Sequence, residues 1–169
     1  MTTLRRLHSR DVALVPALVE VLRDVIAGGA SVGFLDTDDA QALGLYWRGV
    51  FESLGPGLAL WIAEDAGQVV GTVQLAPSLR SNGRHRGDVQ KLLVLSSASG
   101  KGVATTLMKE VESHARDIGL SLLVLDTHSG SRAEFLYRKL GWQEAGSIPG
   151  YAAIPDGALI ATTYFYKNL

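Results

Sequence analysis

The sequence predicts a single domain of 169 residues that mixes helices and strands, in the α/β or α+β class. Three observations carry this prediction. Amphipathic helix patterns alternate with short apolar strand patterns along the whole chain. One helix lies between two nearly continuous apolar strands, which requires a parallel pair and a right-handed crossover. Hydrophobic residues make up 47% of the chain and charged residues 20%, as in ordinary globular domains.

The predicted element order is strand, helix, helix, three strands, helix, strand, helix and two strands. The clearest helix pattern is 102–118, whose apolar residues recur on one face. Ser131 and Glu134 have the spacing of a capping box and are expected to open the last helix. The predicted spans are, in order, 2–7, 9–26, 38–54, 58–64, 68–75, 88–95, 102–118, 120–125, 131–140, 142–148 and 159–168.

A glycine-bearing turn connects the strand 88–95 directly to the helix 102–118. The first backbone N–H groups of a helix have no intrahelical partner, and the helix dipole places partial positive charge there. Gly100 and Gly102 carry no Cβ, so a ligand can approach the backbone closely. The turn therefore predicts a binding site for a phosphate or pyrophosphate group.

Two common phosphate-binding motifs fit this turn only in part. A P-loop requires G-x-x-x-x-G-K-[ST], but Lys101 is followed by Gly102, so no hydroxyl is placed to bind magnesium. The dinucleotide fingerprint G-x-G-x-x-G matches Gly100 and Gly102 and has Thr105 at its third glycine. Too few residues follow Asp126 to complete one half of a doubly wound α/β sheet, so a nicotinamide-dependent enzyme is a minor alternative.

Composition excludes several other classes of function. The chain has no cysteine, which excludes disulfides, thiolate metal sites and a cysteine nucleophile. A net charge of −1 does not suggest a nucleic acid or an anionic membrane as partner. The histidines lack metal-ligand spacing, so no metal is expected, and they are predicted to lie on the surface or in loops. No apolar run is long enough to span a membrane, and Asp11 and Pro16 interrupt the N-terminal one, so a cytoplasmic protein is expected.

Two segments resemble the signatures of the GNAT superfamily of acyl-CoA N-acetyltransferases. Residues 99–104 follow the pyrophosphate-loop pattern [Q/R]-x-x-G-x-[G/A], with Ser99 in place of Gln or Arg. Residues 130–142 follow N-x-x-A-x-x-L-Y-x-x-x-G-[F/W], with Gly130 in place of Asn. The resemblance covers the whole chain as one acetyltransferase domain, 1–169, and implies a mixed, mostly antiparallel central sheet with a splayed central parallel pair, flanked by helices. A closer likeness, to the tabtoxin-resistance enzymes that acetylate a β-lactam-containing amino acid, is carried by 28–34, 89–92, 125–127 with 130–131, and 149–151 with 155–157.

The resemblance implies acetyl-CoA as cosubstrate and a small-molecule amine as partner. It also implies that backbone N–H groups near Val94 and Leu95 hold the acetyl carbonyl. Many members of the superfamily are dimers, so a homodimer is compatible with the resemblance. The implied cofactor-binding residues are Leu93, Val94, Leu95, Ser99, Gly100, Lys101, Gly102, Val103, Ala104, Thr105, Ser131 and Tyr137.

Three side chains are candidates for the chemistry, which proceeds by direct attack of the amine because no cysteine could carry the acetyl group. Asp88 begins one predicted strand and Asp126 ends the next, and they resemble the acids that hold the amine in the tabtoxin-resistance enzymes. A carboxylate with a pKa of about 4 is a poor base, so help through water or electrostatics is expected. The Tyr137 phenol, with a pKa of about 10, is suited to protonating the thiolate leaving group. The implied substrate-binding residues are Val32, Phe34, Asp88, Gln90 and Asp126.

Each assignment has a plain structural alternative. Asp126 could cap a turn, Asp88 could be a solvated charge, and Tyr137 could be a core aromatic. The segment 28–34 could be a simple helix-breaking turn, and the basic residues of 80–91 are expected to form a solvated loop. Among functions, an acyl-CoA-binding module with little catalysis and a protein N-terminal acetyltransferase are the alternatives. The tryptophans expected in the core are Trp47, Trp61 and Trp142.

Overall fold

The computed structural model describes residues 1–35, 39–154 and 156–169. Its elements follow the predicted order. The strands are β1 (Thr3–Leu7), β2 (Ala59–Asp65), β3 (Gln68–Pro77), β4 (Arg86–Val94), β5 (Leu122–His128), β6 (Gln143–Ala153) and β7 (Leu159–Asn168). The helices are α1 (Val15–Ala27), α2 (Ala40–Ser53), α3 (Val103–Asp117) and α4 (Arg132–Lys139), with a 3-10 segment (Ser9–Leu14) before α1.

The seven strands form one mixed sheet in the order β1-β2-β3-β4-β5-β7-β6. Strands β4 and β5 are parallel and are joined through α3, whereas the other neighbouring strands are antiparallel. The fold class and the central parallel pair expected from the sequence are therefore confirmed.

The two central strands separate towards their carboxyl ends. Described pairing between β4 and β5 runs only from Arg86–Leu122 to Asp88–Val124. Beyond that point β4 continues on β3, and β5 continues on β7 as far as His128. A gap, here called the β4–β5 gap, therefore opens between the carboxyl-terminal halves of the two strands, the region in which α/β sheets bind ligands.

Helices cover both faces of the sheet. A Cβ at Gly71 of β3 would lie 3.1 Å from Val103 and 3.2 Å from Leu107, so α3 covers this face. Side chains alternate along a strand, so Gln74 lies on the opposite face, where it donates a hydrogen bond to Tyr46 of α2 at 3.2 Å. Helices α1 and α2 thus lie opposite α3. The predicted core tryptophans are confirmed, since Trp47, Trp61 and Trp142 are 0%, 2% and 3% exposed.

Several local predictions are wrong. The capping box of α4 does not form, because Ser131 makes no side-chain cap hydrogen bond and buried Glu134 accepts one from Arg138 instead, at 2.9 Å. Strand β5 begins two residues later than predicted and runs on to His128, so Asp126 lies within the strand. Lys91, grouped with the basic residues of a solvated loop, is partly buried in β4, within the predicted strand 88–95.

Three further local differences concern the start of the first helix, the burial of a histidine and the start of β4. The first helical span begins as a 3-10 segment, because the α-helical pattern starts only with Val15 and the proline that follows it. His114 is partly buried and packs edge-on against Trp61, with ring centroids 5.0 Å apart. Strand β4 begins at Arg86, so Asp88 is its third residue. The predicted start of the second helix at Asp38, and Pro155 of the segment 155–157, lie outside the described residues.

Candidate active site

The amino end of α3 is open to an anionic ligand. Gly102 is the N-cap residue, with φ +82°, and no side chain caps the helix within the described part of the chain. The amide of Thr106 donates to the Gly102 carbonyl at 3.0 Å, so the amides before it precede the first intrahelical bond. A Cβ at Gly100 or Gly102 would meet nothing within 4 Å. These features fit the pyrophosphate of acetyl-CoA.

One backbone N–H of β4 points into the β4–β5 gap. The amide of Leu95 donates to the Val70 carbonyl of β3 at 2.9 Å, so it is engaged and cannot hold an acetyl carbonyl. Successive amides of a strand point to opposite sides, so the amide of Val94 faces away from β3, towards β5. The amide of Leu95 thus does not fit the expected role, whereas the amide of Val94 does, and that role stays a prediction.

Asp88 and Asp126 share one face of the sheet. Asp88 is paired with Val124 of β5, and Asp126 lies two residues further along that strand, so the three side chains point the same way. This is the face covered by α1 and α2. The pKa of Asp88 is raised by burial, lowered to a smaller extent by Arg86 and raised by the charge of Asp126.

The carboxylate of Asp126 is held in place by β7. The hydroxyl of buried Thr162 lies 2.8 Å from Asp126 Oδ2 and 3.0 Å from the Thr127 carbonyl, so its one proton is shared between two acceptors. The side chain of Asp126 is otherwise exposed and borders the β4–β5 gap. Thr162 is a site residue that sequence reasoning missed, because its approach depends on the β5–β7 register.

Tyr137 approaches the same gap from the opposite face. Its ring packs against Trp142 and Phe165, with centroids 6.0 and 5.9 Å away, and the side chain is 6% exposed. Burial raises the pKa of the Tyr137 phenol, and the charge of Asp126 raises it further. Among the described residues the hydroxyl makes no hydrogen bond, so its proton is free for a ligand. Tyr137 is thus a core aromatic whose hydroxyl lies within the influence of Asp126.

The predicted substrate-binding residues lie on the α1–α2 face of the gap. Phe34 packs edge-on against Tyr46, with ring centroids 5.3 Å apart, and Val32 packs on the core beside it. Gln90 is exposed on β4, two residues beyond Asp88, and pairs with Gln74 of β3.

Residues 30–142, which include the α3 turn, both carboxylates and Tyr137, match the model of the acetyltransferase (GNAT) family. The chain belongs to the GNAT family. N-acetyltransferase 8 of Rattus norvegicus is 37% identical to it over 92 residues, which are 53% of this chain and 41% of that protein. This GNAT chain therefore spans about two fifths of the length of that curated relative.

Solved structures share the fold over the whole chain. Ribosomal-protein-alanine N-acetyltransferase from Brucella melitensis is 23% identical, with a TM-score of 0.78 and 99% of both chains covered. The protein yncA from Salmonella typhimurium, solved with its cofactor acetyl-CoA, is 19% identical, with a TM-score of 0.77, and the match covers 99% of this chain and 94% of that one. At such identities the likeness shows a common GNAT fold.

Lys91 and Tyr46 lie beside the predicted site residues of this GNAT chain, and the sequence analysis named neither as a site residue. Lys91 sits at a bulge, since two residues of β4, Lys91 and Leu92, lie between the pairs Thr72–Leu93 and Gln74–Gln90. Its φ is +50°, a conformation that non-glycine residues rarely adopt. No feature of the local sequence marks a bulge, so only the register reveals it.

A separate cavity lies elsewhere in the molecule. It has a volume of about 510 Å³ and is lined by His114 and Ile118 at the carboxyl end of α3, the end remote from the Gly102 turn. No predicted site residue lines it. Within 1–35, 39–154 and 156–169, no helix has the length and apolarity needed to cross a membrane, and no His, Asp and Glu side chains gather as a metal site.

Proposed function

We propose that this GNAT-family chain transfers the acetyl group of acetyl-CoA to the primary amine of a small molecule, by direct attack in a ternary complex. One observation carries the proposal. Asp88 and Asp126 border the β4–β5 gap on one face of the sheet, and the phenol of Tyr137 approaches it from the other. Groups able to bind an amine and to protonate a thiolate are thus collected beside the open end of α3.

The cosubstrate is held by backbone groups. The free amides of α3 after Gly102 bind the pyrophosphate, with Ser99, Lys101 and the turn glycines around it. Bound acetyl-CoA supplies a thioester carbonyl that is activated for attack by an amine. The amide of Val94 donates a hydrogen bond to the oxygen of that carbonyl, and a preorganised donor of this kind is worth about 3 kcal/mol in other enzymes.

The two carboxylates bind the amine and receive its proton. Asp126, fixed by Thr162, holds the ammonium form of the acceptor. Asp88 accepts the proton through water, and its raised pKa makes it a better base than an ordinary carboxylate. The neutral amine then attacks the carbonyl carbon and forms the new C–N bond. The C–S bond breaks as the tetrahedral intermediate collapses, and the nitrogen loses its second proton to solvent.

Tyr137 protonates the leaving thiolate of CoA. Burial keeps the phenol neutral over the whole working pH range, because it raises the pKa. The phenol therefore keeps its proton until the thiolate leaves, but its raised pKa makes it a weaker acid than the ordinary phenol expected from the sequence. The proton that leaves the phenol is returned from solvent when the products depart.

The acceptor is an amino-acid-like amine. This finer assignment is supported by the likeness of Asp88 and Asp126 to the acids of the tabtoxin-resistance enzymes. A protein N-terminus is the second candidate, because the Brucella melitensis neighbour is a ribosomal-protein-alanine N-acetyltransferase. An acyl-CoA-binding module with little catalysis is the third, and it predicts no amine-dependent turnover.

The first prediction tests this function with CoA thiol release from acetyl-CoA. The acceptor panel contains small amines, amino acids, a tabtoxinine-type lactam and N-terminal peptides. Tyr137→Phe is expected to lower kcat by about 100-fold or more on any accepted amine, since general acid catalysis is lost. The KM for acetyl-CoA is expected to change little. Tyr166→Phe, which removes a hydroxyl bonded to Gln143 at the sheet edge, is the matched control with unchanged kcat.

Three results would contradict the proposal in different ways. Equal rates for Tyr137→Phe and the parent protein would show that Tyr137 is not the general acid. Acetyl-CoA binding without turnover of any panel amine would favour the binding module. Absence of acetyl-CoA binding would show that the turn before α3 is not a pyrophosphate site for this cosubstrate.

A further inference from the structure

The ammonium group of Lys91 lies on the α1–α2 face of the β4–β5 gap, the face that carries Asp88 and Asp126. The bulge turns the side chain of Lys91 towards α2, so that its Nζ lies 5.5 Å from the centre of the Tyr46 ring. On the other side, a Cβ at Gly33 would lie 3.9 Å from the same Nζ. Lys91 thus sits between β4, α2 and the loop that carries Phe34.

The ammonium group has no counter-ion among the described residues. None of the ion pairs or side-chain hydrogen bonds found in 1–35, 39–154 and 156–169 involves Lys91 Nζ. Burial lowers the pKa of Lys91, and the charge of Asp126, the carboxylate of the described residues that influences it, raises that pKa to a smaller extent. Asp126 and Lys91 are therefore close enough to interact and too far apart to form an ion pair.

Burying an ammonium group without a partner anion is costly, and a ring face repays only part of that cost. The backbone conformation at φ +50° adds strain. Strain and a partly buried charge with no partner among the described residues are typical of a place where a ligand completes the site. A group that pairs with Lys91 must be anionic.

We propose that Lys91 binds the carboxylate of the acceptor, which makes free amino acids the acceptor class. The site then separates two opposite charges on one face of the gap, with Asp126 and Asp88 for the ammonium and Lys91 for the carboxylate. An α-amino acid carries both groups on one carbon and bridges them. Tyr46 and Phe34 form the aromatic wall beside the carboxylate. This inference rests on the proposed function.

The experiment compares matched acceptors that differ in one charge. The acceptor panel is the twenty common L-amino acids, their carboxamides, a tabtoxinine-type lactam and simple alkylamines, each assayed by CoA thiol release. The parent protein is expected to favour an accepted acid over its carboxamide by tenfold or more in kcat/KM. Lys91→Gln is expected to raise the KM for the acid by about 10-fold to 100-fold and to leave the carboxamide within about twofold.

Two further variants separate binding from folding. Lys91→Arg retains the charge and is expected to keep a preference for the acid. Lys109→Gln removes an exposed lysine of α3 and is expected to leave both acceptors unchanged. Thermal unfolding of each variant shows whether it is folded before its kinetics are compared.

The outcomes distinguish this inference from the proposed function. Equal losses on acid and carboxamide in Lys91→Gln would show that Lys91 only supports Tyr46, and would overturn the inference. Turnover of carboxamides or amines with no preference for acids would overturn it as well, while the acetyltransferase activity stands. Failure of every acceptor together with absence of acetyl-CoA binding would overturn the proposed function itself.

Discussion

Asp88 and Asp126 are chemically identical side chains, and their surroundings separate their roles. Asp88 is partly buried, and the pKa of its carboxyl is raised first by burial and also by the charge of Asp126. Asp126 is exposed, and Thr162 holds its carboxylate at 2.8 Å. A partly desolvated carboxylate accepts protons more readily, whereas a fixed and solvated one is better suited to holding a cation.

The second prediction concerns the pH dependence of kcat/KM in Asp126→Asn. The negative charge of Asp126 raises the pKa of Asp88, so its removal lowers that pKa. The base form of Asp88 then persists to lower pH, and the acidic limb of the profile moves to lower pH. The rate at the plateau falls, because the ammonium of the acceptor loses a counter-charge. Steady-state kinetics across the acidic range measure both effects.

The asparagine keeps an oxygen that can accept the Thr162 hydrogen bond, so the local structure is preserved. Asp117→Asn, at the exposed end of α3, is the matched control and leaves the limb in place. A limb that stays fixed or moves to higher pH in Asp126→Asn would exclude Asp88 as the titrating base.

Sequence patterns can place Asp88, Asp126 and Tyr137 near one another, because each lies in a motif or at a strand near the switch point of the sheet. They cannot place Lys91. A regular strand alternates its side chains, and the extra residue at the bulge changes the face from Lys91 onwards. The pattern of basic residues in 80–91 therefore suggested solvated charges, where the register places a partly buried ammonium group on the strand.

At the scale of elements, the amino end of α3 is a helix terminus whose free amides have no capping side chain. The N-cap Gly102 adopts φ +82°, and its Cβ-free surface faces open space. Capping side chains normally satisfy such amides and stabilise the helix by about 1 kcal/mol. Their absence at the longest helix of the described residues is consistent with a ligand taking their place.

The third prediction compares Gly102→Ala with Gly119→Ala. Both glycines have a positive φ, +82° and +83°, and a Cβ at either meets nothing within 4 Å. Each substitution should therefore lower the free energy of unfolding by about 1 kcal/mol. Only Gly102→Ala places a methyl group where the pyrophosphate binds, and it is expected to weaken CoA binding by about tenfold. Calorimetric titration with CoA and urea denaturation measure the two quantities.

Equal CoA affinities in the two variants would mean that the turn at Gly102 does not contact the ligand. Equal losses of affinity would mean that backbone strain at either end of α3 disturbs the whole helix. Both results would contradict a local phosphate site.

Hydrophobic periodicity is sufficient to predict the element order and most of the spans in this chain. Helix α3 and strand β7 are predicted within one residue at each end. The ends of β5 and β6 are not, because Asp126 and the exposed residues of β6 break the apolar pattern while their backbone continues to pair with β7. Strand pairing with a neighbour far along the chain overrides local composition at such ends.

At the scale of the whole molecule, one buried carboxylate ties α3 to the carboxyl-terminal strands. Glu112 is 6% exposed and accepts hydrogen bonds from Trp142 Nε1 at 2.9 Å and Lys167 Nζ at 2.7 Å. Lys167 also donates to the Leu140 carbonyl at 2.7 Å. Because these contacts link α3, α4 and β7, we propose that residues 1–169 unfold as one domain.

The fourth prediction is that Glu112→Gln destabilises the protein by about 3 kcal/mol, because it leaves the ammonium of Lys167 without its counter-charge in a largely buried place. Glu52→Gln, on the exposed side of α2, changes the same group in solvent and should have an effect within about 0.5 kcal/mol. Urea denaturation followed by tryptophan fluorescence and by circular dichroism measures both variants.

Coincident transitions of the two probes are expected in the parent protein and in Glu112→Gln, since the sheet connects all parts of the fold. Separate transitions in the parent protein would show that the α3 region and the β6–β7 region are independent folding units, and the single-domain proposal would then be wrong.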